Sequence, residues 1–83
     1  MPTVAVVDGV SIVFYPKEHW PAHFHVKFAE HQAVFSIRPV RLVQGFLPPA
    51  KRRRIVEWAQ TREAELIRAF GQAIEKRRVD PVE

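Results

Sequence analysis

The spacing of hydrophobic and polar positions changes once along the chain. Up to Gly45 it alternates every second residue, and from Pro49 it recurs every three to four. In residues 3–15, "TVAVVDGVSIVFY", two β-branched runs flank Asp8-Gly9, a strong signal for a two-residue turn. Pairing Val7 with Val10 places Thr3, Ala5, Val7, Val10, Ile12 and Phe14 on one face. Val4, Val6, Ser11, Val13 and Tyr15 fall on the other. Both faces are largely apolar, whereas a hairpin open to water on one side alternates more cleanly. Either helices or another chain is expected to cover one side.

Pro16 and Pro21 bracket a loop, because proline donates nothing to a strand ladder. "HFHVKF" and "AVFSIR" follow, and the pattern predicts a second hairpin closed by "AEHQ". With Phe28 facing Ala33, Val26 faces Phe35 and Phe24 faces Ile37, which makes one apolar face. His23, His25, Lys27, Val34, Ser36 and Arg38 take the other, with His23 opposite Arg38 and His25 opposite Ser36. "VRLVQ" predicts a short fifth strand ending at Gly45.

After the "LPP" punctuation the period is helical. Ile55, Ala59, Leu66, Phe70 and Ala73 form a stripe widened by Val56, Trp58, Ile67 and Ile74. Pro49 suits a first helical turn. One helix over 49–77 would run about 43 Å, long for a domain whose radius of gyration should be about 12 Å. A break is expected near Gln60 to Arg62, with Thr61 as the N-cap of the second piece and the helical part leaving at Val79. The predicted fold is α+β. Four or five short strands in antiparallel hairpins over 1–45 precede one or two helices over 49–78, all in a single domain of residues 1–83.

Composition narrows the function. There is no cysteine, so disulfide scaffolds and thiolate chemistry are excluded. No apolar run reaches the ~18 residues of a membrane helix, and "MPTVAVVDG" lacks the basic start of a signal peptide. A cytoplasmic protein with no membrane partner is expected. The net charge is +4 and nine of the thirteen Lys and Arg lie in residues 51–83, which suits a polyanionic partner. A solvated helical surface is the plainer explanation. Only Ser11 and Ser36 are serines, and Gly9, Gly45 and Gly71 lie too far apart for a phosphate-binding loop.

Three of the four histidines sit in "EHWPAHFHVKF", residues 18–28. Strand alternation brings His23 and His25 to one side, about 7 Å apart along the strand. Three chemistries are open to them. As acid–base groups they could take a proton from a ribose hydroxyl and return one to a leaving oxygen, while Arg38 and Lys27 attract the phosphate. No cofactor or metal is expected; if an ion is held, its ligands would be His19, His23 and His25. Third, they could simply be the polar face of a sheet. Lys51, Arg52, Arg53 and Arg54 open the helix, where the macrodipole disfavours positive charge by a few tenths to ~1 kcal/mol each. Glu57 can pair with Arg53 and Arg54. A phosphate contact would explain the four cations, and Trp20 could stack on a base.

The same residues carry a family resemblance over nearly the whole chain. The start "MPT", the signature "EHWPAHFHV", the "GFLP" lead-in to the helix and Glu57-Trp58 resemble the small bacterial DUF4160 proteins. The matching positions are His19, Pro21, His23, Phe24, His25 and Trp58. Ala22 replaces a second proline of the family signature, and Glu18 stands where aspartate is usual. The resemblance implies an α+β domain without an established activity. It also implies a DUF2442-like partner protein in what looks like a toxin–antitoxin pair. The resulting expectation is a small basic RNA-binding or RNA-acting module with a histidine strip as its working face, extending to a metal-independent ribonuclease. The alternative is a non-catalytic protein-interaction module with structural histidines. Either could form a homodimer or heterocomplex through the N-terminal hairpin.

Overall fold

The structure, a computed structural model, describes residues 3–75 and Val82. Strands β1 (Thr3–Val7), β2 (Val10–Val13), β3 (His23–Phe28), β4 (His31–Ile37) and β5 (Val40–Gly45) form one antiparallel sheet in chain order. Helices α1 (Pro49–Gln60) and α2 (Glu63–Ile74) follow. The α+β architecture is the expected one. The helices pack on one face of the sheet, where Ile55, Trp58, Leu66 and Phe70 meet Phe14, Phe24, Phe35 and Ile37 in a single core. The radius of gyration is 11.4 Å.

The first hairpin turns at Asp8 and Gly9, both at positive φ (52° and 79°), the type I′ pattern that matches strand twist. Val7 faces Val10 and Val6 faces Ser11, as the sequence predicts. Beyond Ala5 the register shifts and Thr3 pairs with Val13. The irregularity turns Val4 into the core, against the simple alternation. Val82 joins the same core and donates its N–H to the Val4 carbonyl at 2.9 Å. Helices thus cover one face of this hairpin. On the other, Val6 remains 66% exposed while Val13 is buried.

The second hairpin is tighter than the sequence predicts. Its turn is Ala29-Glu30, with Ala29 at φ 52°, so Phe28 pairs with His31, Val26 with Ala33 and Phe24 with Phe35. A slip of two residues leaves every side chain on its expected face and changes every partner. His23 therefore faces Ser36, His25 faces Val34 and Lys27 faces Gln32. Arg38 lies past the end of β4, where its Nε donates to Glu63 Oε1 at 3.3 Å.

The helical break falls where expected, with a different cap. Thr61 ends α1 and Arg62 holds the N-cap position of α2. The Thr61 hydroxyl and the Arg62 guanidinium both donate to the Trp58 carbonyl at 3.0 Å, which satisfies an acceptor left open by the helix end. Glu63 and Glu65 suit the first turn of α2, whereas the first turn of α1 holds no acid. Lys51 compensates by reaching across to the first turn of the sheet. Its Nζ donates to the Asp8 carbonyl at 2.7 Å, lies 3.2 Å from the Asp8 carboxylate and sits 4.8 Å from the centre of the Phe28 ring. The expected helix exit at Val79 lies outside the described residues.

Candidate functional site

Alternation along β3 sends Phe24 and Val26 into the core and His23, His25 and Lys27 to the open face. The loop before β3 then folds Glu18 over the two imidazoles. Glu18 Oε1 lies 2.7 Å from His25 Nε2, and Oε2 lies 3.2 Å from His23 Nε2. The two rings are 5.5 Å apart between centroids. His23 Nδ1 is 2.9 Å from the Pro21 carbonyl, His23 packs on Phe70 at 5.1 Å, and Tyr15 meets His25 edge-on at 4.5 Å. All three cluster members are partly buried and remain within reach of water.

The carbonyl of Pro21 can only accept, so it fixes a proton on His23 Nδ1. His23 Nε2 therefore faces a carboxylate oxygen either as an N–H donor on an imidazolium or as a bare lone pair. The lone pair beside the carboxylate is unfavourable until a cation comes between them. His25 Nε2 donates to Glu18 in its neutral form, leaving Nδ1 as its basic nitrogen. For Glu18, burial alone would raise the carboxyl pKa. The hydrogen bonds from His25 and His23, together with their charge, outweigh it and hold the carboxyl below its ordinary value.

Beside the cluster, an open groove of about 260 Å³ is lined by Tyr15, His25, Lys27, Gln32, Gln44 and Gly45. It lies at a bulge in β5: Val34 pairs with Gln44 but Phe35 with Leu42, so Val43 is the extra residue. Gly45 has φ +85°, and a Cβ there would strike the Gln32 carbonyl oxygen and come within 2.7 Å of Ala33 Cα. Lys27 Nζ sits 5.9 Å from the centre of the Tyr15 ring, so the groove carries a cation beside an aromatic face.

The structure thus brings together only part of the expected site. His23, His25 and Lys27 share one face. Arg38 is drawn away to Glu63, and Lys51 to Asp8 at the Phe28 end of β3. Arg52, Arg53 and Arg54 are exposed on α1, and among the described residues neither Arg53 nor Arg54 pairs with Glu57. Trp20 is 56% exposed but lays an edge on Phe70 at 5.0 Å. His19 is exposed and is not part of the metal-spaced group; Glu18 takes the third place. One signal pointed to it, since Glu18 is the only carboxylate between Asp8 and Glu30.

Residues 9–70, which include the loop, the cluster, the groove and most of both helices, match the model of a family described as a domain of unknown function, DUF4160. No curated protein and no solved structure matches the chain. Among the described residues no helix is long and apolar enough to cross a membrane.

Proposed function

The chain belongs to the DUF4160 family, and we propose that it is a small RNA-acting module, cytoplasmic and one half of a toxin–antitoxin-type pair. Its working centre is the Glu18–His23–His25 cluster at the lip of the groove. The observation that carries this reading is one carboxylate shared by two imidazoles, 2.7 and 3.2 Å away, beside a groove holding a lysine. A flexible single strand can lay a phosphate near Lys27 and a base on the Tyr15 face, while Gln32 and Gln44 offer amides to base edges. His25, oriented by Glu18, takes the proton of a 2′-hydroxyl as that oxygen attacks phosphorus. His23, as imidazolium, returns a proton to the 5′-oxygen as its bond to phosphorus breaks. Net positive charge brings the polyanion to the surface.

The test is RNA binding and cleavage by the purified chain at low salt, with growth arrest measured on expression. Wild type should bind and cleave; His23→Ala and His25→Ala should bind and fail to cleave. Absence of binding at low salt, or cleavage unchanged in the double variant, refutes the reading.

A second reading is favoured by the packing of His23 on Phe70 and its bond to the Pro21 carbonyl. Here the cluster is a clasp that holds the loop before β3 against the sheet, in a non-catalytic module that binds a protein partner through the β1–β2 hairpin with its exposed Val6. Losses above about 2 kcal/mol in both His→Ala variants would favour the clasp.

A further inference from the structure

We propose that Glu18, His23 and His25 form a binding site for a divalent transition metal of the zinc class, with one carboxylate and two imidazole ligands and an open position for water.

The donor spacing is the first argument. Zinc sits about 2.0 to 2.2 Å from nitrogen and carboxylate oxygen, so neighbouring donors in a tetrahedral shell are about 3.3 Å apart. The Glu18 oxygens lie 2.7 Å from His25 Nε2 and 3.2 Å from His23 Nε2, and the three ligand atoms all lie within 4.8 Å of one another. The three donors thus already lie near that spacing.

Ligand support is the second. A metal-binding imidazole commonly donates its other ring N–H to a carbonyl or carboxylate, which fixes the tautomer and aims the lone pair. The Pro21 carbonyl does this for His23, at 2.9 Å from Nδ1. Phe70 and Tyr15 hold the two rings in orientation. The His23 lone pair so directed points at a carboxylate, and a cation between them removes the conflict; His25 would bind through Nε2 in the tautomer that carries its proton on Nδ1.

The donor set is the third. Two nitrogens and one carboxylate suit zinc, iron, nickel or copper better than magnesium or calcium, which favour all-oxygen shells. Three protein donors are one short of the closed tetrahedral set of a structural site, so the fourth position would go to water. This inference goes beyond the proposed function, because it stands on donor geometry whether or not the chain meets RNA. With an ion in place His23 and His25 would be ligands, and a water on the ion would supply the proton transfer at the groove in their stead.

The experiment is calorimetric titration of Zn²⁺ into the full chain after chelator treatment, near neutral pH, with circular dichroism confirming that each variant is folded. One ion should bind per chain. Glu18→Gln, His23→Ala and His25→Ala should each weaken binding by more than the roughly 10- to 100-fold that loss of an outer partner costs, while His19→Ala leaves it unchanged. A variant-free measurement covers misfolding. On adding Zn²⁺ to wild type, the NMR ring signals of His23 and His25 should shift and those of His19 and His31 should not. No binding, binding that survives loss of these ligands, or shifts confined to His19 or His31 would overturn the proposal. RNA binding measured in chelator separates the two ideas: RNA without zinc affinity removes the metal site alone, and zinc without RNA affinity removes the RNA reading alone.

Discussion

On one side of β3, Phe24 and Val26 are fully buried beneath the helices; on the other, His23, His25 and Lys27 stay within reach of water. The residues alternate, so neighbours one peptide apart belong to different problems. Phe24 stacks on Phe35 at 5.4 Å, and its surroundings are filled by carbon. His25 one step later sits between Glu18, Tyr15 and a groove. On the covered face the environment dictates volume. On the open face it dictates charge, tautomer and donor direction, which packing alone would not select. The difference separates what folds the chain from what equips it.

Substitutions on the two faces should therefore part company, and the largest stability effect belongs to the covered one. Phe24→Ala should cost about 3 to 5 kcal/mol, through lost transfer energy and the cavity left behind. Denaturant melts read this, and a loss under about 1 kcal/mol would mean the core is far looser than the packing implies.

His25→Ala comes next. It removes a hydrogen bond to a charged partner and an aromatic contact, and should cost less than about 2 kcal/mol while RNA cleavage falls by about 10²-fold or more. A larger stability loss with activity intact would assign the open face to folding as well.

Glu18→Gln sharpens the comparison through pH. The Glu18 carboxyl is held below its ordinary value because its bonds to His25 and His23 outweigh burial. A depressed carboxyl contributes its full stability above the unfolded value, about 4.3, and loses it as pH falls through the lower folded value. Melts from pH 5 down to pH 3 should show the advantage of wild type over Glu18→Gln shrinking as acid is added. An advantage that grows toward acid would reverse the assigned sign.

Lys51→Ala should cost at most about 1 kcal/mol, the range of surface ion pairs, although it also loses contact with Phe28. Lys27→Ala should change stability by less than about 0.5 kcal/mol. It should weaken RNA binding across sequences and reduce the salt slope by about one phosphate's worth.

Much of the fold could be read from residue order because it rests on period and on turn chemistry. Asp8-Gly9 named its own turn, and Pro49 and the break near Gln60 marked the helices. The second hairpin was harder, because Ala29-Glu30 contains none of the residues that usually signal a two-residue turn. The pattern of period two fixed the face of His25 but not its neighbour, so Val34 stands where Ser36 was expected. The site was legible only along the strand. His23 and His25 share a side because strands alternate, whereas a loop has no period to say whether Glu18 or His19 turns inward. Long side chains also choose partners across the fold, as Arg38 does with Glu63, and nothing in local spacing announces that choice.

The glycine that ends β5 gives the groove a design map. Tyr15, Lys27, Gln32 and Gln44 line it, so each is a position to exchange when changing the size, charge or hydrogen bonding it offers. Position 45 is different, because its missing Cβ is what lets β5 lie against the Gln32 carbonyl. A library meant to retarget this surface should randomise those four positions and hold the fifth constant. Diversity at 45 would report on whether the strand can still seat itself, and would say nothing about what the groove prefers.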